Sequence, residues 1–530
     1  MNLHRIHQRV KDLNQNLVIR GTLILTLAGF STRIIGFYNR IFLADLIGAE
    51  ALGVYQLIFP LYMVAFSFTT MGNELALTKL VSEYKSRCDY LSAKTFFRVC
   101  FCINLFLGVI ISVIMYQNAD WLCTHVLNAP ESADCLRTIC TGIPFMSMKG
   151  AIHGYFLGLE KSSVHGISDF LEQCAKVLGL YVLSAYICQR ANYSASFAVW
   201  GIVIGEIISF TYSIAALLIH NCKCQKNKYG SLPHYCAASK TTASSAKPIY
   251  YSKAVRLFLK DSVPLTTNRL ALTVLQSIEA ILIPSVLLKF YKDSSLSLTT
   301  YGVFSGMAFP FIMFPSTITG SLSTMLLPAV SSANSRLDTR YLSKLCEKSL
   351  HFCLLIGLFA TITFYIYGPS IGMCFFNNKE AGQFLFQLSF LCPFIYLATN
   401  LASMLNGLGL ATHNLMLTVI ATGIRIGFIL FAVPKIGMSG YIAGMFVSYL
   451  ILTFACLHKL EKIISFRLFF LKSIFYPAVT FIILGCISFF GYCLIYEKHT
   501  GIPPVLLLFA SIGIYGLVAF TPFLTVFGKT

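Results

Sequence analysis

Long apolar runs alternate with short polar segments along the whole chain. Fourteen runs fall at roughly 18–43, 51–73, 96–116, 135–158, 165–187, 195–220, 257–288, 299–329, 349–373, 382–406, 411–433, 437–457, 468–494 and 503–527. A helix crossing a bilayer needs about 20 predominantly apolar residues, and the runs meet that length. They are continuous, without the alternation of polar and apolar positions that marks a transmembrane strand, so a β-barrel is disfavoured. The pattern predicts an all-α integral membrane fold with about 14 transmembrane helices. Pro60, Pro144, Pro264, Pro284, Pro310, Pro315 and Pro393 lie inside runs. Membrane helices tolerate such breaks where neighbours satisfy the freed backbone groups, and transporters use them as hinges.

The longest polar segment, 221–256, carries seven basic residues, no acidic ones and many Ser, Thr and Ala. It reads as a flexible linker, with six runs before it and eight after. The two parts share a faint repeat. Gly53-Val54-Tyr55, Phe59-Pro60, Gly72 and Val81-Ser82 recur as Gly302-Val303-Phe304, Phe309-Pro310, Gly320 and Val330-Ser331 at offsets of 248 to 250. The predicted organisation is two pseudo-symmetric six-helix lobes, 1–220 and 257–458, joined by the 221–256 linker. Two additional helices follow in 459–530. Duplication of this kind suggests transport by alternating access.

Composition removes the competing classes. Of 530 residues, 56% are hydrophobic and only 12% are charged. A soluble domain carries about 25% charged residues, so a soluble enzyme and a disordered chain are both excluded. The net charge of +19 would suggest nucleic acid in a soluble protein, but topology accounts for most of it. With the N-terminus in the cytoplasm, 25 Lys and Arg fall in cytoplasmic segments and 7 outside, as the positive-inside rule requires. Both termini are then cytoplasmic. The first 16 residues are polar and basic, without a short apolar stretch ending in a small-residue cleavage site, so no removed signal peptide is expected. Most of the 18 cysteines lie in apolar runs and read as small hydrophobes, not a disulfide framework.

The informative charges are those inside the runs, where a charge normally faces a wet cavity or a partner. Arg33 and Arg40 lie on one face of the first run, and Arg269 and Arg425 sit in the seventh and eleventh. These four are the candidate contacts to an anionic substrate; Arg40 beside Asp45 also fits a snorkelling residue. Asp169, Glu172 and Lys176 share a face of the fifth run, with Glu172 and Lys176 in the favourable i, i+4 order. They read either as a structural ion pair or as a gate. Glu206 lies in the sixth run. Glu279 sits among Ile278, Ala280 and Ile281 and is a candidate coupling-ion ligand or an arginine partner. Gly72-Asn73-Glu74 closes the second run, where Glu74 marks a gate or a helix end. The charges singled out lean basic: Arg33, Arg40, Lys176, Arg269 and Arg425 against Asp169, Glu172, Glu206 and Glu279.

No catalytic constellation, cofactor or metal site is expected, so the chain does not read as an enzyme. Gly528-Lys529-Thr530 resembles the end of a P-loop, but Phe523 stands where the loop needs glycine. Cys222, Cys224, His234 and Cys236 in the linker have an unusual spacing for zinc and read as free thiols. The linker's basic charge and its tyrosines fit topology and anionic lipid better than nucleic acid.

The stretch Gly21-Thr22-Leu23-Ile24-Leu25 through Thr32-Arg33-Ile34-Ile35-Gly36-Phe37 and Arg40, then Leu46-Ile47-Gly48-Ala49-Glu50 and Gly53-Val54-Tyr55-Gln56, resembles the stage V sporulation protein B family. So do Lys79-Leu80-Val81-Ser82-Glu83, Gly154-Tyr155-Phe156-Leu157-Gly158-Leu159, Glu172-Gln173 with Lys176, Leu275-Gln276-Ser277-Ile278-Glu279 and Asn406-Gly407-Leu408-Gly409. The resemblance runs in order over almost the whole chain. It implies membership of the flippase superfamily that also holds lipid II flippases, O-antigen flippases and multidrug/toxin extruders. It further implies fourteen helices in two lobes. The implied activity is outward movement of an undecaprenyl-pyrophosphate-linked peptidoglycan or polysaccharide precursor across the bacterial cell membrane for spore cortex synthesis. The implied partners are that lipid-linked oligosaccharide, membrane lipid and cell-wall synthases, with no nucleic acid.

The chain also departs from the lipid II flippases it resembles. Asn39 and Arg40 stand where they carry an Arg-Asp pair, and Val303 and Phe304 stand where they carry an arginine. His153 lies at or beside a position that is often basic in the sporulation branch, and Glu279 replaces that branch's aspartate. Two rival readings remain, a cation-coupled extruder of small drugs and a non-transporting scaffold for wall synthesis. The extruder requires an acidic cavity. The scaffold requires the linker, so deletion of 225–250 separates it from a transporter.

Overall fold

A computed structural model describes the backbone of residues 2–87, 89–187, 195–226, 250–464, 474–498 and 503–527. All of the regular structure among them is helical. The α-helices in chain order are α1 (Asn2–Phe66), α2 (Gly72–Ser86), α3 (Tyr90–Gln117), α4 (Ala119–Trp121), α5 (Ala133–Cys140), α6 (Ile143–Gly158), α7 (Ser162–Ile187), α8 (Ala195–Lys226) and α9 (Tyr251–Tyr291). They continue as α10 (Ser294–Gly302), α11 (Phe309–Met313), α12 (Ser316–Ser335), α13 (Thr339–Phe376), α14 (Lys379–Leu388), α15 (Cys392–Gly407), α16 (Ala411–Phe431), α17 (Val433–Ile436), α18 (Met438–Glu461), α19 (Tyr476–Lys498) and α20 (Pro504–Phe527). The linker stretch 227–249, with His234 and Cys236, lies outside the described residues, as does the side chain of Cys224.

Eleven helices among the described residues are long and apolar enough to cross a membrane. This is an all-α multi-pass membrane protein. The difference from fourteen apolar runs has local causes. The first two runs fall in one helical stretch, in which α1 continues through a π-helical turn into α2, broken at Gly48, whose φ of 76° and ψ of 175° are non-helical. The run 135–158 divides at Thr141 and Gly142, ahead of Pro144, and leaves α6 with only 16 residues. The run 165–187 forms α7, which carries Asp169, Glu172 and Lys176. The second run does not end at Gly72-Asn73-Glu74: the helix passes through a π-helical turn at Ser67–Met71 and continues to Ser86.

The chain forms two compact units. One comprises Met1–Asn39 and Val54–Ile281, the other Arg40–Gly53 and Leu282–Thr530. Their helices repeat in a register of 249 residues. Asp89 and Asp338 each cap a helix by accepting the backbone N–H three residues on, from Ser92 and Tyr341, at 3.0 Å in both cases. That bond satisfies one of the donors a helix start leaves free. Asn128 and Asn377 both adopt left-handed backbone (φ 52° and 48°), as do Glu160 and Gly409 (φ 62° and 83°). Pro144 and Pro393 occupy the first turns of α6 and α15, each 16 residues long. Coincident caps, left-handed turns and prolines at one offset establish an internal duplication.

Close helix packing in each unit rests on small residues, as expected where lipid removes the hydrophobic drive between helices. In the first unit Gly150, Gly154 and Gly158 line one face of α6. They abut Thr70, Glu74 and Val81 of the chain running through the π-turn into α2. A Cβ on Gly154 would lie 2.8 Å from the Glu74 carbonyl oxygen. Asn73 bridges the same region, donating to the Thr69 carbonyl at 3.0 Å and to Asn104 Oδ1 at 2.8 Å. In the second unit Gly407 takes the place of Gly158, against Leu327 and Val330. Helices α19 and α20 dock there on α13, burying Phe481, Tyr515 and Ala519 with Leu355 and Ile362.

Candidate functional site

The first unit contains a half-open cavity of about 360 Å³ lined by α1, α2, α6, α7 and α8. Helical period places its polar lining. Lys149 and His153 are one turn apart on α6. On α7, His165, Asp169, Glu172 and Lys176 follow at steps of three or four, which keeps them on one stripe. Gly205 of α8 sits against the Glu172 carbonyl and the stem of Lys176. That approach brings the next residue, Glu206, to the cavity. Ser168 and Ser209 join α7 to α8 through their hydroxyls at 2.7 Å.

Four charged side chains and a tyrosine form one network. Lys149 Nζ donates to Glu172 Oε2 and to Glu206 Oε2, each at 2.6 Å. Lys176 Nζ donates to Glu172 Oε1 at 2.7 Å, and Tyr62 Oη donates to Glu206 Oε1 at 3.0 Å. The Lys149 side chain is 9% exposed, and those of Glu172 and Glu206 are 12% and 6% exposed. Charges this buried are stable only when paired and hydrogen-bonded, and each of these is. Glu74 and Asp169 add two further carboxylates to the lining. Two lysines therefore face four carboxylates, so the basic lean read from the sequence does not hold inside this cavity. His153 and His165 complete the polar wall, with their Nδ1 atoms 2.9 Å apart.

The singled-out residues divide clearly. Glu172, Lys176 and Glu74 meet at this cavity with Asp169 and Glu206. Arg33 is exposed on α1 beside the lining residue Thr32. Arg40 is exposed on α1 in the segment belonging to the second unit, and Arg269 is exposed on α9. Glu279 is buried on α9, 6% exposed, and is not part of the lining. Arg425 lies in the second unit, donating to Thr422 Oγ1 at 3.1 Å and to Ser448 Oγ at 3.4 Å. Its guanidinium stands over the Tyr449 ring at 5.4 Å. In the 249-residue register Arg425 corresponds to Lys176, whereas Glu172 and Lys149 correspond to Ala421 and Ala398. The charged network is a specialisation of the first repeat.

Sequence reading missed Lys149, Tyr62 and His165. A signal for Lys149 existed, because it is the one charged residue within Ile143–Gly158, and an ionisable residue at membrane depth is informative by default. Tyr62 and His165 carried no such signal; Glu206 and His153, which they meet, lie on other helices.

A family model of polysaccharide biosynthesis proteins matches residues 18–334, more than half of the chain. The chain belongs to that family. It is similar to stage V sporulation protein B of Bacillus subtilis (strain 168), 24% identical over 84% of this chain and 84% of the relative. Among solved structures it is similar to the lipid II flippase MurJ in an inward closed conformation. That match has a TM-score of 0.66 at 13% identity and covers 95% of this chain and 100% of the other. It is also similar to an inward-facing multidrug resistance MATE family transporter of the MOP superfamily. There the TM-score is 0.61 at 12% identity, with 84% and 98% covered. The structural likenesses establish the fold, and the sequence match agrees with the resemblance read from the residues.

Proposed function

We propose that the protein is a flippase that moves an undecaprenyl-pyrophosphate-linked peptidoglycan or polysaccharide precursor outward across the bacterial cell membrane by alternating access. The observation that carries this reading is the extent of the match: most of stage V sporulation protein B and the full length of the lipid II flippase structure align with one chain. Spore cortex synthesis is the proposed setting, cell-wall synthases are the proposed consumers, and both termini are proposed to be cytoplasmic. Six-helix lobes bounded at 220 and 257–458, with 459–530 as an addition, are the proposed working parts.

In this mechanism Arg33, Arg40, Arg269 and Arg425 contact the pyrophosphate along its route. Lys149 and Lys176 exchange Glu172 for phosphate oxygens, so substrate entry breaks the ion pairs at the first-repeat cavity. Glu172, Lys176 and Glu74 thereby act as the gate, and Glu279 holds the coupling ion. The test is a lipid II accessibility assay in cells relying on this protein. Arg33→Ala is expected to reduce outward flipping by roughly tenfold or more, the loss of one charge-assisted hydrogen bond of about 1.5–3 kcal/mol. An unchanged rate removes Arg33 from the substrate path.

One observation favours the extruder as a second reading: the first-repeat cavity is richer in carboxylates than in lysines, as an organic cation would require. Efflux of cationic dyes by expressing cells, with no change in lipid II accessibility, would select it.

A further inference from the structure

Glu74, His153 and His165 come from three helices, α2, α6 and α7. Each points a ligand atom to one place, and the three atoms lie within 4.8 Å of one another. We propose that this trio is a binding site for a divalent transition-metal ion of the zinc class. Two imidazoles and one carboxylate are a zinc donor set, with Zn–N near 2.0–2.1 Å and Zn–O near 2.0–2.2 Å. Tetrahedral donors at those lengths stand roughly 3.3–3.6 Å apart, so side chains within 4.8 Å of one another close on the ion by small rotations. Three protein ligands leave a fourth position, which opens on the cavity that all three residues line.

The surroundings suit a ligated histidine. His153 is 3% exposed, and its Nε2 faces Ser213 Oγ at 3.4 Å. Metal-binding histidines usually commit the second ring nitrogen to an outer partner in this way, which fixes the tautomer and the ring plane. With Nε2 carrying the proton toward Ser213, the Nδ1 lone pair of His153 points at His165 Nδ1, 2.9 Å away. Two nitrogens so placed either share one proton or share one metal ion. Asp169 Oδ1, 3.6 Å from His165 Nδ1, supplies a further carboxylate at the edge of the site. Lys149, one turn before His153, is already compensated by Glu172 and Glu206. The backbone arrangement is supported independently: Gly154 lets α2 lie against α6 at Glu74, beside His153. Imidazole nitrogen favours zinc, copper, nickel and iron, whereas magnesium and calcium prefer all-oxygen sites.

This inference stands whether or not the flippase reading holds, because its test reads metal binding and not transport. The full chain is purified in detergent, and its thiols are blocked with N-ethylmaleimide so that cysteines do not take up metal. Zinc is then measured by equilibrium dialysis. The expected result is one more zinc ion per wild-type chain than in a His153→Asn, His165→Asn double variant. Ser213→Ala is expected to weaken binding by roughly 10–100-fold, the usual effect of losing an outer partner. Excess magnesium is expected to leave the zinc in place. If thiol-blocked wild type takes up no more zinc than the double variant, or magnesium displaces it readily, the proposal falls. Should the double variant fail to elute as a single species, Glu74→Gln decides in its place: unchanged zinc uptake overturns the proposal, and a loss supports it.

Discussion

Lys149→Ala is expected to destabilise the first unit by about 3–5 kcal/mol, the usual result of removing one member of a buried ion pair. The alanine leaves Glu206 and one oxygen of Glu172 without the ammonium that each meets at 2.6 Å. A carboxylate stripped of its partner in a low-dielectric site costs more than the original pair contributed. Thermal unfolding of the purified protein in detergent gives the measurement, with a lowered midpoint as the expected reading. A double variant identifies the cause: Lys149→Met combined with Glu206→Gln removes both charges together and is expected to recover much of the loss. A wild-type midpoint for Lys149→Ala would show that water reaches these carboxylates and that the network has no structural role.

A comparable loss is expected for Gly53→Val and for Gly302→Val, which occupy equivalent places in the two repeats. Both glycines lie in the second unit, where they pack backbone against backbone. A Cβ on Gly53 would collide with the Leu298 carbonyl oxygen, and one on Gly302 would collide with that of Ala49 and stand 2.6 Å from Gly53 N. Backbone atoms cannot swing aside as a side chain does, so the helices must separate. The cost is expected to reach or exceed about 3 kcal/mol, the upper end for ordinary overpacking. Folded protein extracted from membranes, followed as a monodisperse peak, should fall sharply for either variant. Gly320→Ala is the control, because nothing lies within 4 Å of its Cβ position. Alanine there should be neutral, or stabilising by up to about 1 kcal/mol through helix propensity. Equal behaviour of all three variants would show that close approach at 53 and 302 is not limiting.

Much of the fold is legible in the residues because its causes are local. Apolar run length specifies helices that cross a bilayer, and Gly48 is where the first two runs separate. The repeat is faint as sequence, since apolar positions exchange freely among Leu, Ile, Val and Phe. It becomes unambiguous at the positions that cannot exchange freely: the caps Asp89 and Asp338, the left-handed Asn128 and Asn377, and the helix-opening Pro144 and Pro393. The limits of individual helices were less legible. Run length does not register that a break before Pro144 leaves a short helix, or that a π-turn carries the second run on through Glu74.

The site followed a different rule. Intramembrane charge singled out Glu172, Lys176 and Glu206, because a charge at membrane depth needs a partner wherever it lies in the chain. It could not say which partner. That Lys149 joins Glu172 to Glu206 depends on Gly205, which lets α8 lie close against α7, and on α6 packing beside them. The meeting of Glu74, His153 and His165 depends on Gly154 in the same way. Hydropathy, capping and backbone preference act within a few residues, so the chain declares its helices, its duplication and its membrane setting directly. Which charges and imidazoles come together is set by packing between distant helices, and that information exists only in the folded protein.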